Sequence, residues 1–159
     1  MKKSLLLLLF IILIACEQRT ELITDAERLA ITDSIKQAMN NYAVAVKSLD
    51  AKQITDLYLD SQDFAVAGND DYYPSRDSLY KTFQEHLKMC KSIDSFEWID
   101  PKIFVLCKDA ASSTSKFHYM MFLKSGNSLD VKGYFTFVFT RTSGHWKIAQ
   151  LNVSAPCGK

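Results

Sequence analysis

Proton transfer is the chemistry this sequence comes nearest to supporting, and few residues could carry it. His118 lies in an apolar stretch, residues 117 to 122, and would act as a base only with a partner in hydrogen-bond reach. A lone histidine in such a strand is more often structural. Asp63 and Asp70 flank the short apolar run Phe64-Ala65-Val66-Ala67; carboxylates in such places commonly serve as solvated turn residues. His86 falls off the apolar stripe of its helix, and His145 sits in a turn. Tyr42, Tyr58 and Tyr134 are the phenols that could donate to a substrate opposite such a base. Ser112, Ser113 and Ser115 share a strand with no base signal beside them, and the chain has no Gly-x-Ser-x-Gly elbow or phosphate-binding glycine loop. Metal-ligand spacings such as His-x-His, His-Glu-x-x-His or paired cysteines do not occur, so neither a metal nor a cofactor is expected. Asn69-Asp70-Asp71 lacks the alternating ligands and closing glutamate of a calcium loop.

A different reactive group stands near the start. Met1-Lys2-Lys3 is basic, and the apolar run that follows ends in Leu13-Ile14-Ala15-Cys16. The run is shorter than the roughly 20 apolar residues a bilayer span needs, and it fits the pattern of a secretory signal. Its end resembles a lipobox. That resemblance implies that the Cys16 thiol is alkylated by a diacylglycerol and becomes the new N-terminus, and that the protein is lipid-anchored in a bacterial cell envelope. Residues 1–15 are then the signal, 16–23 the lipidated cysteine and tether, 24–154 one folded domain and 155–159 a tail. Loss of Lys2 and Lys3 takes the 19 basic residues to 17, against 18 acidic ones, with no basic stripe of the kind that nucleic-acid binding needs. Cys90, Cys107 and Cys157 remain, an odd number, and the spacing leaves open whether two of them pair. Cys90 and Cys107 read as small buried hydrophobes.

The elements follow from capping and periodicity. Thr24 and Glu27 form a capping box, and Ile31, Ile35, Ala38, Tyr42, Ala45 and Leu49 recur at intervals of three and four along a helix of about seven turns. Asp50 caps a short second helix with Ile54, Leu57 and Tyr58 on its inner side. A short hairpin runs from Phe64 to Tyr73 and is closed by Pro74, and Ser75 caps a third helix with Leu79, Phe83, Leu87 and Cys90 inward. From Ser92 the period is two. A strand carrying Phe96, Trp98 and Ile103 to Cys107 is expected to bulge at Asp100-Pro101, and residues 111–123, 129–141 and 145–154 give three more strands. Helices followed by antiparallel strands predict an α+β domain.

That order resembles the NTF2-like proteins of the SnoaL and DUF4440 type. So do the step from Leu57-Tyr58 to Phe64 and the ending Phe137-Val138-Phe139-Thr140-Arg141 … Gly144-His145-Trp146-Lys147-Ile148. The likeness implies a cone in which a strongly curved antiparallel or mixed sheet wraps three N-terminal helices and leaves a pocket at the open end. Related ketosteroid isomerases carry an aspartate base on the first short strand. Here that strand has no carboxylate, which weighs against catalysis.

Reading Thr142-Ser143-Gly144 as a three-residue loop pairs Arg141 with His145, Val138 with Ile148, Thr136 with Gln150 and Tyr134 with Asn152. With this register the resemblance puts Trp146, Ile148, Tyr134, Thr136, Gln150 and Asn152 inside the cone, joined by Tyr42, Tyr58, Trp98 and His118 as pocket wall. Phe135, Phe137, Phe139, Leu151 and Val153 then form a convex apolar patch suited to a homodimer. Three functional readings stay open. The first is a lipoprotein whose cone binds a small, mostly apolar molecule without catalysis. The second is an isomerase, dehydratase or cyclase using His118 or Asp63 as base. The third is a dimeric assembly module that takes no ligand.

Overall fold

A computed structural model describes residues 22–69 and 71–155 of the chain. Cys16 and the signal, Asp70 and Cys157 lie outside the described residues. Helix α1, Asp25–Lys47, starts where the capping box expects. The Thr24 hydroxyl accepts from the Glu27 amide at 3.2 Å, and the Glu27 carboxylate accepts from the Thr24 amide at 2.9 Å. Its inward stripe is Ile31, Ile35, Met39, Tyr42 and Ala45. Asp50 caps the five-residue helix α2, Ala51–Thr55, by accepting from the Lys52 and Gln53 amides. Ser75 caps α3, Arg76–Leu87. Among the described residues there are thus three helices, of which two are long, and the third comes after the first hairpin rather than with the other two.

Six strands form one mixed sheet. They are β1 (Ala65–Gly68), β2 (Asp71–Tyr73), β3 (Cys90–Cys107), β4 (Ala110–Leu123), β5 (Ser128–Thr142) and β6 (His145–Ser154), in the order β2-β1-β6-β5-β4-β3. The β1–β6 pair is parallel and the others antiparallel. Strand β3 slips register between Asp94 and Glu97 and again between Ile99 and Lys102, the second slip falling at the expected Asp100-Pro101 site. Ser95 and Asp100 take positive φ there. Such bulges bend a strand, and β3 bends over α1 so that the Trp98 indole N–H donates to the Met39 carbonyl at 3.0 Å.

The last hairpin departs from the expected register, for two physical reasons. Ser143 and Gly144 both have positive φ, 51° and 80°, so the turn is a two-residue one and Thr142, not Arg141, faces His145. A bulge at Ala149 then shifts the pairing again: Phe139 faces Ile148, but Val138 faces Gln150. Because side chains alternate, one step exchanges the faces. On β5 the exchange is complete. Phe135, Phe137 and Phe139 point inward onto the helices and are buried, with Phe137 wholly so. On β6, Trp146 and Ile148 do face inward, but past the bulge Leu151 and Val153 take the inner face, while Gln150 and Asn152 are exposed. The five residues expected on a convex dimer face therefore belong to this chain's own core. Cys90 is buried as expected; Cys107 is exposed, because it lies at the end of β3 beside the turn.

The core is an aromatic seam. Phe135, Phe137 and Phe139 stack along β5 with centroids 5.3 Å apart at each step. Tyr42 meets Phe135 and Phe137 edge-on at 5.7 and 5.5 Å, and Trp98 does the same from β3. This packing closes one end of the cone. Toward the other end the seam opens.

Candidate functional site

A cavity of about 290 Å³ lies at that open end. It is bounded by the second half of α1, the inner side of α3, the β1–β2 hairpin and the outer reaches of β3 to β6. Its inner wall is Tyr42, Tyr58, Val66, Leu79, Phe117, Tyr119, Phe135 and Leu151. Tyr58 is held there because the chain after α2 joins the sheet: the Leu59 amide donates to the Ile148 carbonyl at 2.8 Å, and the Ile148 amide to the Leu57 carbonyl at 3.0 Å. Small residues on the wall are required by close approach. A Cβ on Gly68 would stand 2.2 Å from a Val153 methyl.

The Tyr58 hydroxyl is buried and has no hydrogen-bond partner. Burial raises its pKa well above 10.0, and the neighbouring Tyr42 adds to this electrostatically and through a hydroxyl–hydroxyl contact longer than an ordinary hydrogen bond. Burial likewise pushes Tyr42 up to about 12 and raises Tyr119. All three are therefore neutral phenols at ordinary pH, able to donate a hydrogen bond. A buried donor left without a full hydrogen bond costs roughly 1–3 kcal/mol.

The mouth is polar. Asn69, Asp71, Tyr73, Thr82 and His86 line it. The Tyr73 hydroxyl donates to Asp71 Oδ2 at 3.2 Å; burial and then the Asp71 charge raise the Tyr73 pKa. Asn69, itself at positive φ, accepts from the Ala155 amide at 3.0 Å and so ties the end of β6 to the hairpin. Among the described lining residues there is one carboxylate, one imidazole and no lysine or arginine.

Of the expected site residues, Tyr42 and Tyr58 line the cavity, and Trp98 packs beside them in the core. His118, Tyr134, Thr136, Gln150 and Asn152 are on the outer face of the sheet, a correction that follows from the exchanged register. His118 Nε2 is 2.6 Å from Asp130 Oδ1 on the neighbouring strand, and Lys132 reaches the other oxygen of Asp130 at 3.3 Å. These two partners hold the Asp130 carboxyl below its ordinary pKa. The cluster lies with Ile99, Lys116 and Tyr134 in an open surface groove. Asp63 is exposed in the loop before β1 and is not part of the cavity wall.

Asp71, Thr82, His86 and Tyr119 are among the wall residues that sequence reasoning missed, whereas Tyr73 is one of the aromatics expected in the core or pocket wall. A signal for two of the missed residues existed: Thr82 and His86 fall with Leu79 and Phe83 at i, i+3, i+4 and i+7, one face of α3. Following only the apolar members led instead through Leu87 to Cys90.

The model of the SnoaL-like domain family matches residues 35–158. No curated protein matches the chain. Several solved structures share its fold at low identity. One is an NTF2-like superfamily protein from Salmonella enterica serovar Typhimurium, at 15% identity over 83% of this chain and 95% of that one, with a TM-score of 0.72. Another is a ketosteroid isomerase-like protein from Erwinia carotovora atroseptica, at 17% identity over 79% and 96%, with a TM-score of 0.67. A hexachlorocyclohexane dehydrochlorinase is similar at 17% identity over 84% and 90%, with a TM-score of 0.71.

Proposed function

Because the chain belongs to the SnoaL-like domain family, we propose that its cone is a receptor for a small, mostly apolar molecule with an acceptor oxygen at its inner end. The observation that carries this reading is a cavity whose inner walls are aromatic and aliphatic and include the neutral phenols Tyr42, Tyr58 and Tyr119. Ligand pockets are built this way, with apolar walls and a few polar groups to fix orientation. The test uses the soluble form, residues 17–159, titrated calorimetrically with 4-ethylacetophenone, an aromatic ketone. Saturable binding is expected, weakened about tenfold by Tyr58→Phe, the size of one hydrogen bond. No binding by the parent would end the receptor reading.

A second reading is a proton-transfer enzyme of the isomerase or dehydratase type, the class to which the isomerase-like and dehydrochlorinase neighbours point by name. It is favoured by one observation, that His86 and Asp71 share a cavity with neutral tyrosine donors. The base would then be one of these, not His118 or Asp63.

The reading has two parts at the scale of the molecule. The receptor is lipid-anchored in the cell envelope through Cys16, and it pairs as a homodimer through the outer face of the sheet. Ile99, Phe104, Leu106 and Tyr134 are exposed there and support the pairing.

A further inference from the structure

Among the described lining residues Asp71 is the one carboxylate at the mouth of the cavity, beside the His86 imidazole. Asp71 and Tyr73 lie two residues apart on β2, so they share a face, and that face is the one turned to the cavity; Tyr72 between them is 65% exposed. Asp71 accepts the Tyr73 hydroxyl on Oδ2, and a carboxylate keeps further lone pairs beyond that one bond. The cations nearest along α3 are engaged elsewhere: Arg76 pairs with Asp60 at 2.8 Å and Lys81 with Asp77 at 2.7 Å. Behind Asp71 the wall is Tyr73, Phe83, Phe96 and Tyr119. Aromatic faces carry negative quadrupole charge and attract cations.

We propose that Asp71 makes the cavity selective for a cation, so that the ligand is a small aromatic molecule with a protonated amine at the end left in the mouth. This rests on the receptor reading above and adds the charge of the ligand to it. The inner end of the molecule meets the Tyr58 hydroxyl, the ring lies among Phe83, Phe96 and Tyr119, and the ammonium group lies against the Asp71 carboxylate. Anionic ligands are turned away, because the described wall offers them no lysine or arginine and one fixed negative charge.

Three probes on one skeleton test it: 4-acetylbenzylamine, 4-ethylacetophenone and 4-acetylbenzoate, which are cationic, neutral and anionic at the far end. Each is titrated into residues 17–159 and into Asp71→Asn. The parent is expected to bind the amine roughly fivefold more tightly than the neutral ketone, the size of an ion pair at a part-open site, and the benzoate most weakly. Raising the salt narrows the gap, since the mouth is wet. Asp71→Asn is expected to bring the amine and the neutral ketone level, closing the roughly fivefold gap. Equal affinity of those two probes for the parent, or a preference for the amine that survives Asp71→Asn, overturns the proposal and leaves the receptor intact. Failure of the neutral ketone to bind at all overturns both.

Discussion

Tyr58 and Tyr42 combine two roles, since they pack the core and also line the cavity. In the free protein Tyr58 leaves a buried hydroxyl unpaired, so Tyr58→Phe should leave the melting temperature unchanged or raise it, by up to about 1–3 kcal/mol of stability, while ligand affinity falls. A loss of stability from this change would mean that the hydroxyl has a partner. Tyr42 gives a pH dependence with a definite sign. Its pKa is about 12 in the folded chain against 10.0 for a free tyrosine, because burial disfavours the phenolate. The unfolded chain therefore loses its proton first as the pH rises. The contribution of Tyr42 is fully present below pH 10.0 and is lost between 10.0 and about 12. The slope is about 1.4 kcal/mol per pH unit for each such group. Urea midpoints measured from pH 8 to 11 should fall above pH 10, and Tyr42→Phe should make that fall shallower.

At the scale of the element, β5 is the strand on which the domain depends most. Phe137 is fully buried between Trp98 and Tyr42, whereas Trp146, at the end of β6, is only half-buried. Phe137→Ala should cost about 3–5 kcal/mol, the range for a large aromatic in a packed core, and Trp146→Ala clearly less. Denaturant unfolding of the two variants gives the order directly, and a reversed order would return the strand to the register first expected. Phe137→Glu should unfold the domain rather than separate two copies, because it buries a carboxylate with no partner. The turn makes a related prediction. Gly144 has φ of 80°, so Gly144→Val should destabilise by about 1–2 kcal/mol, from backbone strain.

At the scale of the whole molecule, the proposed dimer and anchor each have one deciding experiment. Sedimentation of residues 17–159 at tens of micromolar should show a dimer, and Phe104→Glu, at a side chain that is 65% exposed, should give a folded monomer. A parent that sediments as a monomer rejects the pairing. For the anchor, Cys16→Ser should move the protein out of the membrane fraction. Retention there like the parent's would mean that something other than a lipid at Cys16 holds it.

By itself the sequence determined the elements and their order, because caps and periodicity are local. The Thr24–Glu27 box, the Asp50 and Ser75 caps and the strand limits stand in the structure within a residue or two of where the pattern puts them. It also determined the family, through the Gly-x-Trp-Lys-Ile ending and the order of elements, and two of the cavity tyrosines. What tertiary structure decided was which face of the last two strands is inside. Both faces of β5 carry β-branched or aromatic residues, so composition does not choose between them. The choice fell to a two-residue turn and to a bulge at Ala149, and the bulge has no local sequence signature. The cavity mouth was equally beyond reach. Asp71 comes from a hairpin and Thr82 and His86 from a helix, and no local pattern says that these two elements meet. Only the folding of α3 and the β1–β2 hairpin over the open end of the sheet brings them to one rim.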